Sequence, residues 1–442
     1  MENNNLNNDF KEIYFETYGC TANKNSSEIM KGLVRQAGLN TIQDEKFADL
    51  IVINTCIVKS PTEEKIRRRI QDLLKKYPNK KIVIAGCMPR FLPKNLKEKN
   101  NLYLLDIHHI KDIINLLQDI RSNQYKYEKY LKPQNEVKAS LPKISDEKFI
   151  GITQISEGCL GECSYCVVRF AKGKLFSYPK EKIIENISND LGNGCKEILL
   201  TSQDNASYGK EEGKFLLPEL LKEIVEIPGN FYMRIGMMNP NNLIKILPEM
   251  IELYKNKKIF KFLHIPTQSG SDKVLKEMNR KYQIKDILKI VDEFRKQIPE
   301  ILISTDIIVG YPTETDKDFE DTLSLIQKIK PEILNRSNFY PRQETSAKKL
   351  KEISTNIMNE RSSKLMKLHL DICNEIQKPF LGKELKVLVD KKGFSNTYLA
   401  RDKSYKLFAI QSTDKSILGK EVNIKVKKAM PHYLLAELAV GK

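Results

Sequence analysis

The chain has 442 residues, of which 74 are Lys or Arg and 57 are Asp or Glu, so its formal charge at pH 7 is +17. This basic excess favours a polyanionic partner, nucleic acid first, although a composition rich in Lys, Ile and Asn without Trp is also typical of an AT-rich genome. No apolar stretch approaches the roughly 20 residues of a membrane helix, so we expect no membrane partner. Eight cysteines and no signal peptide predict a cytoplasmic protein whose thiols serve metal binding or catalysis.

The first 120 residues alternate strand and helix patterns. Residues 1–9 are polar and rich in Asn, and we expect them to be disordered. Apolar runs then predict four strands with amphipathic helices between them, over 13–18, 49–54, 81–86 and 102–105. This order predicts a doubly wound parallel sheet in an amino-terminal domain spanning 10–120, with its functional groups at the carboxyl ends of the strands.

Three of these strands run directly into a cysteine: Cys20, Cys56 and Cys87. Because the carboxyl ends of parallel strands meet at one edge of a sheet, the topology predicts that the three thiols gather there. One such cysteine is typical of a small buried residue that closes a strand. Three at equivalent positions instead indicate an iron–sulfur site.

A second group of cysteines opens the middle of the chain. Residues 121–149 are charged and show little periodicity, which predicts a linker. An alternating strand over 150–155 then leads into a C-x3-C-x2-C spacing formed by Cys159, Cys163 and Cys166. Three thiolates in one short loop predict a 4Fe–4S cluster with one iron left open for a ligand, because a closed cluster takes four cysteines. The alternatives are a redox pair or a zinc knuckle, which would need a distant fourth ligand.

Strand and helix patterns alternate again up to about residue 345. Apolar runs predict six strands, over 150–155, 197–202, 231–237, 260–265, 301–309 and 334–340. Six βα-like units predict an incomplete parallel (βα)6 barrel in a domain spanning 150–378, with its chemistry at the carboxyl-terminal mouth. Gln203, Asp204 and Arg234 are polar residues near the ends of two strands, where strand-end capping by itself explains each of them.

The tail, 379–442, has a different pattern. Short runs separated by Gly, Asp, Ser and Pro predict five strands and hence a small OB-like β-barrel, a common RNA-binding frame. From Phe380 onward the tail holds 13 Lys and Arg against 6 Asp and Glu. We predict that Phe394 and Tyr398 stack on bases and that basic side chains contact phosphates. The predicted phosphate contacts are Lys391, Lys392, Arg401, Lys403, Lys425, Lys427 and Lys428.

The short sequence motifs around the cysteines resemble those of the radical S-adenosylmethionine (SAM) methylthiotransferase family. They are Thr17-Tyr18-Gly19-Cys20, Asn54-Thr55-Cys56, Ala85-Gly86-Cys87, Glu157-Gly158-Cys159 and Ala171-Lys172-Gly173. The Cys159-Leu160-Gly161 motif is similar to the corresponding motif of the archaeal and eukaryotic branch of the family, which acts on N6-threonylcarbamoyladenosine in tRNA. Two departures from the family pattern are Lys172, where Arg is more frequent, and Gln343-Glu344, where Pro-Gly is usual.

The resemblance implies two 4Fe–4S clusters, SAM and a tRNA substrate. Cys159, Cys163 and Cys166 are then the catalytic set, whose open iron binds SAM, and Gln203, Asp204 and Arg234 lie near the bound SAM. Cys20, Cys56 and Cys87 hold an auxiliary cluster that carries the sulfur, and 379–442 is a TRAM domain that docks tRNA.

The implied reaction removes hydrogen from carbon-2 of the adenine ring beside the anticodon with a 5′-deoxyadenosyl radical and places a methylated sulfur there. It needs an electron donor such as ferredoxin or flavodoxin, and a sulfur source. Three alternatives stay open: a branch acting on isopentenyladenosine tRNA, a branch acting on a ribosomal protein aspartate, and an iron–sulfur RNA-binding protein without catalysis.

Overall fold

The structure, a computed structural model, describes residues 10–58 and 60–439, so the predicted disorder of residues 1–9 lies outside the described residues. The chain forms two compact units. The first contains residues up to 146, with 157–159 and 167–186, and the second contains 147–156, 160–166 and the residues from 187 onward. Within the described ranges, no helix is both long enough and apolar enough to cross a membrane.

The first unit is built on a five-stranded parallel sheet. Its strands are Glu12–Thr17 (β1), Asn40–Ile42 (β2), Leu50–Thr55 (β3), Lys81–Gly86 (β4) and Leu102–Asp106 (β5). Their order across the sheet is β2-β1-β3-β4-β5. The central strands β3 and β4 are buried almost throughout, which explains why they appear in the sequence as continuous apolar runs. The predicted doubly wound sheet is confirmed, and β2 is a short edge strand that was not predicted.

The helices of this unit lie between the strands and after the last of them. They are Thr21–Gln36 (α1), Ser60–Lys76 (α2), Lys94–Lys97 (α3), Ile113–Arg121 (α4), Tyr127–Leu131 (α5) and Val168–Lys172 (α6). One apolar core joins the sheet to these helices and includes Cys56, Cys87, Val167 and Ala171. The segment predicted as a linker contains α5 and the buried residues Tyr130, Glu136 and Lys138.

The second unit contains six parallel strands of an open barrel. The strands of this region of the chain are Ile150–Gln154 (β6), Ser156–Glu157 (β7), Phe176–Ser177 (β8), Glu197–Thr201 (β9), Tyr232–Ile235 (β10), Phe262–His264 (β11), Leu302–Val309 (β12) and Ile333–Asn338 (β13). Parallel pairing joins β6, β9 and β10 in one group and β11, β12 and β13 in another. A parallel bridge from Met233 to Ile259 connects the two groups. The predicted incomplete (βα)6 barrel is confirmed.

Helices connect these strands in the alternating pattern that a parallel sheet requires. They are Lys180–Gly192 (α7), Leu217–Glu226 (α8), Pro240–Leu243 (α9), Leu247–Tyr254 (α10), Asp272–Glu277 (α11), Ile284–Gln297 (α12), Asp316–Ile329 (α13) and Thr355–Gln377 (α14). Capping boxes begin α12 and α13, so the sequence fixes where both helices start.

The tail folds as a closed five-stranded barrel within the second unit. Its strands are Glu384–Lys392 (β14), Thr397–Arg401 (β15), Leu407–Gln411 (β16), Glu421–Met430 (β17) and Tyr433–Leu438 (β18). Their order is β14-β15-β16-β18-β17, and the pairing of β17 with β14 closes the barrel. Val389, Phe408, Ile410, Ile424 and Leu434 fill its interior. The predicted small β-barrel is confirmed.

Candidate active site

Cys20, Cys56 and Cys87 lie at the carboxyl ends of three neighbouring strands. They follow β1, β3 and β4, which are adjacent in the sheet order. Cys20 also precedes the first turn of α1 as its N-cap residue and is exposed, whereas the other two are buried. The backbone N–H of Cys87 donates to the Thr55 carbonyl over 3.1 Å, which connects two of the three loops directly.

Asn23 joins the three loops that carry these cysteines. Its side-chain amide donates to the carbonyls of Tyr18, over 2.9 Å, and Thr55, over 2.8 Å. Its Oδ1 lies 4.0 Å from the sulfur of Cys20 and 3.9 Å from the sulfur of Cys87. The sequence analysis did not single out Asn23, although its place in the first turn of a helix that follows a cysteine is a usable signal.

The three thiols fit an iron–sulfur cluster better than a single metal ion. In the described part of the chain, no group of three His, Cys, Asp or Glu side chains is placed to hold one ion. Cluster thiolates bind different iron atoms, so they need not converge on a point. Gly19 has φ +109°, and a Cβ there would lie only 2.7 Å from Cβ of Cys56, so glycine keeps this edge of the sheet open.

The second cysteine motif begins at a tight glycine turn. Gly158 has φ +79°, and a Cβ there would lie 2.0 Å from the Lys174 carbonyl oxygen, so only glycine fits. The next N–H, that of Cys159, donates to the Gly173 carbonyl over 3.2 Å. Gly158 therefore allows a close approach between two backbone segments.

Cys163 and Cys166 occupy one turn, in which the N–H of Cys166 donates to the Cys163 carbonyl over 3.1 Å. Arg280 lies beside this turn, and its Nη1 donates to the sulfur of Cys163 over 3.1 Å. A guanidinium keeps its positive charge at every physiological pH and so stabilises a thiolate at this position.

A hydrogen-bonded chain connects Arg280 to Asp204. Nη2 of Arg280 donates to Oδ1 of Asn239 over 2.9 Å, and the N–H of Asn239 donates to Oδ1 of Asp204 over 2.8 Å. The other Asp204 oxygen accepts from Asn242 over 2.6 Å. Burial raises the pKa of Asp204, while the hydrogen bonds from Asn239 and Asn242 lower it. The structure thus connects Asp204 to Cys163 through Asn239 and Arg280, neither of which was predicted.

The other two predicted cofactor contacts occupy different surroundings. Gln203 is half-buried next to Asp204. The guanidinium of Arg234 lies 5.6 Å from the ring centre of Phe262 and 5.7 Å from that of Tyr405, in the loop between β15 and β16. Arg234 therefore contacts an aromatic side chain of the small β-barrel.

The basic side chains predicted to contact RNA all lie on the small barrel or its loops. Lys392, Lys403, Lys425 and Lys428 are exposed. The other three lie beside carboxyl groups: Lys391 beside Glu147, Lys427 beside Glu437 and Arg401 beside Asp390.

The two predicted aromatic stackers differ completely in exposure. Phe394, in the loop between β14 and β15, is 93% exposed. Tyr398 is 4% exposed and packs in the barrel core, so it cannot stack on a base. Because its ring is accessible, Phe394 is the better candidate of the two.

Three known families match successive parts of the chain. Residues 12–105 match the family described as Uncharacterized protein family UPF0004, 153–326 match the Radical SAM superfamily, and 378–439 match the TRAM domain. Among solved structures, a radical SAM methyltransferase from Kitasatospora setae, determined with cobalamin and a [4Fe-4S] cluster bound, has a TM-score of 0.57 at 12% identity. The similarity covers 77% of this chain and 74% of that one, and it supports the fold.

Curated relatives match over nearly the whole chain. A protein of Archaeoglobus fulgidus called "Probable threonylcarbamoyladenosine tRNA methylthiotransferase" is 38% identical over 97% of this chain and 98% of its own length. The Danio rerio threonylcarbamoyladenosine tRNA methylthiotransferase is 34% identical over 96% of this chain and 78% of its own length. The chain therefore belongs to the threonylcarbamoyladenosine tRNA methylthiotransferase family of radical SAM enzymes.

Proposed function

We propose that this chain converts N6-threonylcarbamoyladenosine beside the anticodon of tRNA into its 2-methylthio derivative. The observation that carries the proposal is the near full-length similarity to archaeal and eukaryotic enzymes of that name, together with the radical SAM region. The chain is accordingly a SAM-dependent radical enzyme that holds an iron–sulfur cluster and acts on tRNA.

Cys159, Cys163 and Cys166 are the proposed ligands of the cluster that binds SAM. When bound, this cluster supplies the electron that cleaves SAM reductively to a 5′-deoxyadenosyl radical. Arg280 holds the Cys163 sulfur in position and stabilises its negative charge. Through Asn239, the same guanidinium positions Asp204, which we propose as a SAM contact together with Gln203 and Arg234.

We propose that Cys20, Cys56 and Cys87 are the ligands of a second 4Fe–4S cluster, so that the chain holds two clusters in total. Their place at one edge of the sheet, the amide of Asn23 between two of the sulfurs and the absence of a side chain at Gly19 support this assignment. In this proposal, the cluster that these three cysteines would hold supplies the sulfur of the methylthio group, and a second SAM molecule donates the methyl group.

The small β-barrel is the proposed tRNA-binding domain, with the exposed lysines on phosphates and Phe394 on a base. We propose domain boundaries at 10–120, 150–378 and 379–442, with 121–149 between the first two. The reaction requires a one-electron donor such as ferredoxin or flavodoxin, and a source of sulfur. All eight cysteines lie among the described residues and none of them forms a disulfide there, which fits a reducing compartment, and we propose the cytoplasm.

The decisive experiment is nucleoside mass spectrometry on tRNA that carries threonylcarbamoyladenosine. The iron-loaded protein is incubated without oxygen with SAM, a reductant and this tRNA. We expect 2-methylthio-N6-threonylcarbamoyladenosine. Formation of 5′-deoxyadenosine without that nucleoside would contradict the substrate assignment and make isopentenyladenosine tRNA the next substrate, and formation of neither product would contradict the enzymatic function.

Two cysteine variants separate the roles of the two sets. Cys163→Ala should abolish formation of 5′-deoxyadenosine, because SAM cleavage needs the second motif. Cys56→Ala should retain SAM cleavage and abolish sulfur insertion. A methylthio product from Cys56→Ala would show that the auxiliary-cluster assignment is wrong.

A further inference from the structure

Two lysines and a glutamate are buried together in the first unit. Glu157 accepts hydrogen bonds from Lys138 and, over 2.9 Å, from Lys172. The exposed fraction of the side chain is 0% for Lys138, 4% for Glu157 and 3% for Lys172. Burying a charged group costs free energy unless the charge is paired. Lysines usually lie on the surface, where they contribute to solubility, so the burial of these two lysines calls for another explanation.

On one side, the charge of Lys138 is balanced by a second carboxylate. Glu136 is also buried, and its oxygens accept from the backbone N–H groups of Ile110, over 3.0 Å, and Lys111, over 2.6 Å. Its carboxylate interacts electrostatically with Lys138. The charges therefore alternate in sign from Glu136 through Lys138 and Glu157 to Lys172.

On the other side, Lys172 acts on the cysteine set at the edge of the sheet. It is the last residue of α6, and Ala171 packs in the same apolar core as Cys56 and Cys87. The ammonium group of Lys172 interacts electrostatically with both Cys87 and Cys20. The series of alternating charges therefore ends at these thiols.

We propose that Lys172 balances the negative charge of the cluster held by Cys20, Cys56 and Cys87 and thereby sets its reduction potential. The inference rests on the proposed function, in which these cysteines hold a cluster. A 4Fe–4S cluster on three thiolates is an anion, and reduction adds a further negative charge. A buried cation favours the reduced form because little solvent screens it. Loss of Lys172 should therefore make the potential more negative.

The test uses the full chain with Cys159, Cys163 and Cys166 all replaced by Ala, so that only the proposed auxiliary site can bind a cluster. The measured quantities are iron content and the reduction potential from an EPR-monitored titration. If no cluster binds in this background, the auxiliary assignment itself fails. If a cluster binds, the effect of Lys172 on it can be measured without enzymatic activity.

Lys172→Met should shift the potential to a more negative value, and Lys172→Arg, which keeps the charge, should leave it near that of the parent. Lys138→Met is the matched control, because it removes the other cation on Glu157 and should shift the potential less. Equal shifts for the Lys172→Met and Lys138→Met variants, or no shift for Lys172→Met, would overturn the proposal.

A further variant guards against a failure to fold. Lys172→Met alone leaves a buried carboxylate with only one of its two cations, whereas the double change Glu157→Gln with Lys172→Met removes both members of the pair. The double variant should still show a more negative potential, because Lys172 interacts with Cys87 more strongly than Glu157 does, and with the opposite sign. An unchanged potential in the folded double variant would equally overturn the proposal.

Discussion

Replacing Arg280 by Gln removes a fixed positive charge that donates a hydrogen bond directly to the sulfur of Cys163. The guanidinium makes four hydrogen bonds, to the Cys163 sulfur over 3.1 Å, the Tyr282 hydroxyl over 2.9 Å, Asn239 Oδ1 over 2.9 Å and the Pro266 carbonyl over 3.3 Å. A hydrogen bond to a charged group contributes about 1.5–3 kcal/mol. Loss of the bond to the sulfur alone therefore corresponds to roughly a tenfold to a hundredfold fall in the rate of SAM cleavage, the range usual for groups that orient metal ligands.

The assay is the rate of 5′-deoxyadenosine formation by iron-loaded protein at saturating SAM and reductant. Arg280→Lys keeps a charge but not the forked geometry, so we expect a rate between those of the parent and Arg280→Gln. Arg295→Gln is the matched control, because Arg295 donates to the carbonyls of Ile329 and Lys330 and contacts neither cysteine set. If Arg280→Gln cleaves SAM as fast as Arg295→Gln and has the EPR spectrum of the parent, Arg280 does not orient the cluster ligand.

Two further predictions concern the small β-barrel. Burial and the neighbouring Glu197 carboxyl raise the pKa of Asp390 to about 8. The folded state then binds this proton more tightly than the unfolded chain, so the contribution to stability is complete at low pH and is lost as the pH rises toward 8. Asp390→Asn should therefore reduce the fall in Tm between about pH 4 and about pH 8. A fall in Tm that is unaltered by the substitution would contradict this coupling. Phe394→Ala should weaken tRNA binding by about 1–3 kcal/mol, which is the contribution of one stacked base. The substitution should not lower Tm, because the ring is 93% exposed. If the variant and the parent bind tRNA with equal affinity in a fluorescence anisotropy titration, this loop does not contact tRNA.

The sequence predicted the architecture because apolar periodicity and strand order determine it. The strands of the parallel sheet and the barrel appear as apolar runs, and parallel topology alone brings Cys20, Cys56 and Cys87 to one edge. Strand β2 was missed because Asn40–Ile42 is a three-residue edge strand with only one apolar residue. Pairing with β1 stabilises this short strand, and its own three residues show no periodicity that would predict it.

The residues around the cysteines could not be predicted in the same way, because their roles depend on tertiary contacts. Lys138 belongs to a charged stretch, and a lysine in such a stretch normally lies in water. Only the fold shows that its side chain is fully buried against Glu157. Arg280 is more than a hundred positions from Cys163 in sequence, and no periodicity connects them. Tyr398 was predicted to stack on a base, but the alternation of side chains along its strand places it inside the barrel rather than on the barrel surface.

Among the described residues, Arg280 is a cation beside Cys163, and Lys172 is a cation that interacts with Cys87 and Cys20. The two cations differ in type, and each type suits its proposed role. Arg280 forms a directed hydrogen bond to one sulfur and a second to Asn239, so it fixes geometry. Lys172 is a point charge paired with Glu157 that acts on Cys87 and Cys20 through space, so it controls potential rather than position. Within the part of the chain that the structure describes, the two cations share no hydrogen-bond partner, and effects of residues without shared partners usually add. Arg280→Gln should therefore slow SAM cleavage by the same factor with or without Lys172→Met, as measured by 5′-deoxyadenosine formation. A factor that changes when Lys172 is replaced would mean that the two sites are coupled and that the division of roles is wrong.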